Sequence, residues 1–461
     1  MNHECTMTPD EFYARRDHRT NIYVGGRGSY VDKTVLLTGD SVVLATYVGQ
    51  VVACISANML SRWCRHAKVL VPSVQTHPLL GVGTLADFLV AQMRCADPFG
   101  TFEAVQQVED HDLLLFVGAD VPPGLGPPAL TTAVSAAGWA AAVRRGADGG
   151  LAADPQDHNP VGAAAAGILA GAQVFRDALG LDSIFEPGFL FDAFSGTSVA
   201  ALPDQHPYPD AVDVGRVLMT GAGAVGSSAA FFIDLFRVRA ELTGVDADWF
   251  KVENLARTAL FGHVHCGLKK VEALAQALAR SGSVKVTPQD AWWHDTAQDL
   301  GAYDIVLPVA NEYGVRQLLQ AALPPLMIHA STGNNWNVTF GRHVPGRDDC
   351  FAERFAGVET VPKPGCSGGR LPQSEPDAPD ASLPFLSFWA GFLTAVDLVR
   401  LGVPGYPQVP NYGLYSFRRG VFSPQLLAKV ARPSCDCTRQ GAVFSMLRAT
   451  TRFRALSPSS W

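Results

Sequence analysis

The chain has 461 residues, 48% of them hydrophobic and 17% charged, enough apolar material for two to four folded cores and too much for global disorder. Its formal net charge of −7 argues against a general nucleic-acid binder. The longest apolar run, 161–175, is built mostly of small side chains and is too short to cross a bilayer, so no membrane partner is expected.

The start, MNHECTMTPDEFYARRDHR, is polar and lacks the apolar core of a secretory leader. Nine cysteines without disulfide-like spacing fit reduced thiols, and together these features predict a cytoplasmic protein. The first strand signal is VLLTG at 35–39, followed by DLLLFVG at 112–118 and a helix over PVGAAAAGILAGAQVFR at 160–176. The stretch 181–212 reads as a linker. The series then repeats: VLMTG at 217–221, YDIVLPV at 303–309 and PFLSFWAGFLTAVDLVR at 384–400. Pro160/Pro384, Gly167/Gly391, Leu169/Leu393 and Arg176/Arg400 share one offset of 224 residues without a gap. The chain therefore reads as two copies of one α/β unit, over 1–180 and 213–402, with a small C-terminal region at 403–461.

In the second copy the strand runs into G-x-G-x-x-G at Gly221, Gly223 and Gly226, and a helix follows. A helix N-terminus with free N–H groups suits phosphate. The first copy has Gly39, Ser41 and Leu44 at these places. Serine and leucine oppose close backbone approach and tight helix packing, so that copy is expected to keep the fold without the nucleotide. Asp246 ends the next strand, 20 residues after Gly226, where an acid can hold ribose hydroxyls. To this point NAD and ATP both remain open.

The following segment narrows the choice. Asp246 and Asp248 precede Asn254-Leu255-x-Arg257, then Gly267, then Lys270, 13 residues after Arg257. A dehydrogenase needs no such cations here. An enzyme forming an acyl-adenylate does, to neutralise the triphosphate and help pyrophosphate leave. The pattern D-x-D-x(5)-N-L-x-R followed by G-x-x-K resembles the ThiF/MoeB superfamily and the ubiquitin-activating enzymes. The resemblance covers 217–400 and, more loosely, 10–180.

It implies an α/β fold of two Rossmann-like ThiF/MoeB-type adenylation units in one chain. The pair would form an intramolecular pseudo-dimer, the first unit inactive and the second active. Asp246 would bind ribose, with Asp248 beside it, Asn254 and Arg257 the phosphates, and Lys270 the α-phosphate region. Members of this family hold Mg²⁺ with an Asp where this chain has Asn311, five residues before Arg316; an amide oxygen without charge lowers the expected affinity. A family arginine near the N-terminus reaches the partner's ATP. In FYARRDHR that residue is Arg15, 24 residues before Gly39, with Arg16 as the alternate.

The Pro- and Gly-rich crossover loop at 346–382 holds KPGCSGG. In the family a cysteine there takes the activated carboxyl terminus as a thioester, which points to Cys366, with Cys350 second. Lys363 and Arg370 would lower the Cys366 thiol pKa. Relatives also bind zinc through two C-x-x-C pairs. Here only Cys350-x-x-Glu353 and Cys435-x-Cys437 remain, a spacing that predicts a degraded or absent site. The implied activity is ATP-dependent activation of a ubiquitin-like protein and its transfer to a conjugating enzyme. The layout is closest to bacterial activating enzymes of the BilD type, which implies antiphage defence and leaves room for further dimerisation. The alternatives are an adenylyltransferase acting on a sulfur carrier or peptide C-terminus without thioester transfer, a NAD(P)-dependent oxidoreductase, and a non-catalytic binding module.

Overall fold

Short runs rich in Val and Leu form strands here, and the Ala-rich runs between them form helices. The computed structural model describes residues 7–24, 28–146, 150–185, 187–204, 206–293, 300–310, 315–322, 324–333, 335–354, 383–403, 410–418, 422, 424–432, 435 and 437. In the first half the strands are β1 Thr34–Gly39, β2 His66–Leu70, β3 Thr101–Ala104, β4 Leu113–Val117, β5 Thr131–Ala137, β6 Ala140–Arg145, β7 Leu190–Asp192 and β8 Thr197–Val199. In the second they are β9 Val212–Thr220, β10 Val238–Val245, β11 Val284–Gln289, β12 Ile305–Pro308, β13 Met327–Gly333, β14 Asn337–His343, β15 Tyr412–Ser416 and β16 Gln425–Leu427.

The two sheets have the same order, β3-β2-β1-β4-β5-β6-β7-β8 and β11-β10-β9-β12-β13-β14-β15-β16. In each, the first five strands of that order run parallel and the rest continue antiparallel. Both are mixed, Rossmann-like sheets, so the internal repeat extends to every strand. The stretch 181–212, read above as a linker, carries β7 and β8. Their counterparts β15 and β16 lie in the C-terminal region.

The repeated helices Pro160–Ala178 and Pro384–Arg400 are buried along their whole length and pack on each other between the halves. Their shared glycine has a steric cause. A Cβ on Gly391 would lie 2.5 Å from the backbone of Ser228 and Ala229, and one on Gly167 would lie 2.7 Å from Ile55. Their shared arginine stitches the halves reciprocally. Arg176 donates to the carbonyls of Phe417 (3.0 Å) and Arg418 (2.9 Å), and Arg400 to that of Ala193 (2.7 Å). Buried carbonyls paired with buried guanidinium groups make this contact costly to undo. Among the described residues no helix is long and apolar enough to cross a membrane.

Candidate active site

The turn after β9 supplies the glycine loop, and each glycine has its own reason. Gly221 lies in the left-handed region (φ +95°), and a Cβ there would come within 2.7 Å of Ala310. A Cβ on Gly226 would strike the Gly221 carbonyl oxygen. No described atom lies within 4 Å of a Cβ placed on Gly223, so backbone there is open to a ligand. Gly223 caps the helix Ala224–Leu235 without a side-chain hydrogen bond, which leaves the helix N-terminus available to an anion.

Asp246 ties this turn to the charged segment. Its Oδ2 accepts from Ala222 N (2.8 Å), its Oδ1 accepts from Asp248 N (2.9 Å), and Lys270 Nζ stands 3.7 Å away. Lys270 donates to Asp248 Oδ2 at 2.7 Å, and both side chains are about nine-tenths buried. Burial pushes the Asp246 carboxyl pKa up, against the pull of Lys270 and the two backbone donors. Arg257 is buried two residues beyond the short helix Val252–Leu255. Asn254, expected at the phosphates, caps that helix: its Oδ1 accepts from Lys251 N at 2.9 Å.

The first half reaches this region by two routes. Arg15, on the helix Pro9–Arg16, donates to Glu253 Oε1 at 2.8 Å, next to Asn254. Arg16 is fully buried and paired with Asp17 and Asp97 of its own half, which leaves Arg15 as the residue that faces the second half. The second route is not apparent in the sequence. Arg62, buried in the first half, donates to the carbonyls of Leu255 (3.2 Å), Phe261 (2.8 Å) and Ala259 (3.3 Å). Asn58 Nδ2 donates to Ala259 O at 2.9 Å, and Asn58 Oδ1 accepts from Arg62 at 2.7 Å. Together they clamp the loop that carries Arg257.

Asn311 and Cys366 lie outside the described residues. Cys350 is buried, and contrary to what their spacing suggests, the sulfurs of Cys350, Cys435 and Cys437 all lie within 4.8 Å of one another. Cys350 Sγ is 3.0 Å from Cys437 Sγ and in bonding contact with Cys435. The cause is an antiparallel bridge, Asp348 to Val430, which brings two segments distant in sequence side by side. Three converging sulfurs supply at most three of the four ligands of a structural Zn²⁺, and the Cys350–Cys435 bond competes with that use. A sulfur held in that cluster is poorly placed as a mobile nucleophile.

Residues 209–369 match the model of the ThiF family, so the second half carries a ThiF family domain. No curated protein matches the chain. Similar solved structures include E. coli MccB with MccA-N7isoASN, at 18% identity and a TM-score of 0.37, covering 48% of this chain and 67% of that one. E. coli MccB with AMPCPP and SeMet MccA has 17% identity and a TM-score of 0.37, with 48% and 66% covered. E. coli MccB alone gives 17% identity and the same TM-score, with 48% and 64% covered. The chain thus spans about two thirds or less of the length of those chains.

Proposed function

We propose that the protein is an ATP-dependent activating enzyme for a ubiquitin-like protein, with the second half as its active unit and the first as its inactive partner. One observation carries the reading: Asp246 joins the open glycine turn to the buried Lys270–Asp248 pair, so an uncapped helix N-terminus and a fixed cation share one small region. A C-terminal carboxylate oxygen of the partner protein would attack the α-phosphorus of ATP, and pyrophosphate would leave. Lys270 and Arg257 would stabilise the charge that develops on the phosphates, and Asp246 would hold the ribose. Arg15 would leave Glu253 for the triphosphate. Mg²⁺ would neutralise phosphate charge; Asp246 and Asp248 are the described carboxylates beside the turn, and Asn311 is the further candidate.

In the second step the Cys366 thiolate would attack the acyl carbon of the mixed anhydride, AMP would leave, and the acyl group would pass from sulfur to a conjugating enzyme. The order of these steps makes the test selective. Cys366→Ala should keep exchange of labelled pyrophosphate into ATP and lose a reductant-sensitive covalent adduct with the ubiquitin-like protein. Robust exchange with no adduct in the wild-type chain would replace this reading with adenylation of a sulfur carrier or peptide terminus. Absence of exchange would overturn both.

A further inference from the structure

A cavity of about 520 Å³ lies at the seam between the halves, at the far end of the helix Ala224–Leu235 from the glycine turn. Twelve helical residues put the two places ~18 Å apart. One wall is apolar and comes mainly from the first half, with Val51, Ile55 and Phe88. The lining from the second half carries three cations, Arg237, Arg239 and Arg280, against two carboxylates, Asp210 and Asp234. None of the three guanidinium groups makes a hydrogen bond or ion pair among the described residues, and all three residues are exposed. The nearby Asp234 is already engaged, accepting from Ser283 Oγ at 3.0 Å and from Ser281 Oγ.

The backbone is irregular where two of these cations stand. Arg237 follows the helix in the left-handed region (φ +56°), a place that favours glycine. Between Arg239 and Ala240 the pairing register of β10 with β9 shifts, as at a β-bulge. Bulges re-aim side chains and occur beside binding sites. The volume falls in the range of small-molecule pockets, which pair an apolar lining with a few convergent polar groups.

We infer that this cavity binds a small organic anion: a carboxylate or phosphate head on the three arginines and an apolar body against the Val51–Ile55–Phe88 wall. The site is separate from the nucleotide region and does not depend on the function proposed above. 8-Anilinonaphthalene-1-sulfonate, a sulfonate on an aromatic body, serves as the probe with the full chain. Its fluorescence should report one saturable site. Displacement by octanoate would assign the natural head as a carboxylate, and displacement by phenyl phosphate as a phosphoryl group. Arg237→Gly should weaken the probe tenfold or more while leaving Tm unchanged or higher, because glycine relieves the left-handed conformation. Arg280→Gln alters an exposed side chain with no bond to lose and should weaken the probe likewise. Lys270→Ala, beside the glycine turn, should leave probe binding as in the wild type in chains whose melting curve shows them folded. Undiminished affinity in both arginine variants, loss of affinity in a folded Lys270→Ala chain, or the absence of a saturable site would overturn the inference.

Discussion

The two strand-to-helix turns are built on the same strand order and answer an anion in opposite ways. After β9, Gly221-Ala222-Gly223 leaves the helix N-terminus without a side-chain cap. After β1, Gly39-Asp40-Ser41 brings its own carboxylate: Asp40 Oδ1 accepts from Val42 N (2.7 Å) and Val43 N (3.2 Å). The first half therefore fills with a side chain the place where the second leaves N–H groups open. It differs a second time after β2, where residues 71–85, up to the start of the helix Leu85–Ala96, contain neither Lys nor Arg. The matching stretch of the second half supplies Arg257 and Lys270. A cavity of about 430 Å³ still exists at the tip of the first sheet, lined in part by Asp40, Leu70 and Phe116. The same Rossmann-like frame thus carries a capped helix N-terminus and no Lys or Arg at 71–85 in one half, and an uncapped helix N-terminus beside Lys270 in the other.

The largest expected effect lies in the second half. Lys270→Ala and Arg257→Ala should each lower ATP–pyrophosphate exchange by roughly 10²–10³, the usual loss for one preorganised charge contact in a transition state. Lys270→Ala also leaves buried Asp248 without its cation, so its melting curve must be recorded beside the rate. Exchange within a few-fold of the wild type in both folded variants would erase the asserted difference between the halves.

That Lys270 lies beside the glycine turn was legible in the sequence because the signal is local. The glycine spacing, Asp246 and the Arg257–Lys270 interval all fall within about fifty residues of one strand–helix–strand unit, and turn sterics and phosphate charge explain each of them. The repeat was legible for the same reason, through Gly167 and Gly391, whose missing side chains permit a close helix approach. Contacts across the fold were not legible. Arg62 and Asn58 meet carbonyls nearly two hundred residues away, and Cys350 meets Cys435 across a bridge between distant segments. The strands β7, β8, β15 and β16 are three to five residues long, too short for a two-residue alternation to stand out. Residue spacing therefore hid the convergence of the three cysteines and made 181–212 look like a linker.

A middle-sized effect tests why the first half is present at all. Arg62 touches no reacting group in the proposed reading, yet it holds three carbonyls of the loop around Arg257. Hydrogen bonds to a charged group are worth about 1.5–3 kcal/mol, or ten- to hundredfold if the loss is felt wholly in the transition state. Arg62→Met should therefore reduce exchange by ten- to hundredfold at temperatures where circular dichroism shows the chain folded. Asn58→Ala, which removes one of the donors to Ala259, should do so to a smaller degree. A folded Arg62→Met chain with an unchanged rate would make the clamp a matter of stability alone and leave Arg15 as the first half's one contribution.

The smallest effect sharpens the comparison most. Asp40→Ala removes the carboxylate that occupies the first turn. Losing such an N-cap typically costs about 1 kcal/mol, so a chain of this length should lose only ~2 °C in Tm. Exchange should stay at the wild-type rate, because Asp40 belongs to the turn farthest in sequence from the proposed cations. The informative measurement is ATP stoichiometry by calorimetry, expected to remain at one per chain. Freeing the N–H groups of Val42 and Val43 restores only part of an anion site. Ser41 still stands where the second half has Gly223, Leu44 still stands where it has Gly226, and no Lys or Arg lies between β2 and the helix Leu85–Ala96 to offset the triphosphate. If Asp40→Ala instead bound a second ATP, the carboxylate alone would account for the silence proposed for the first half, and the glycine and cation differences would not be needed to explain it.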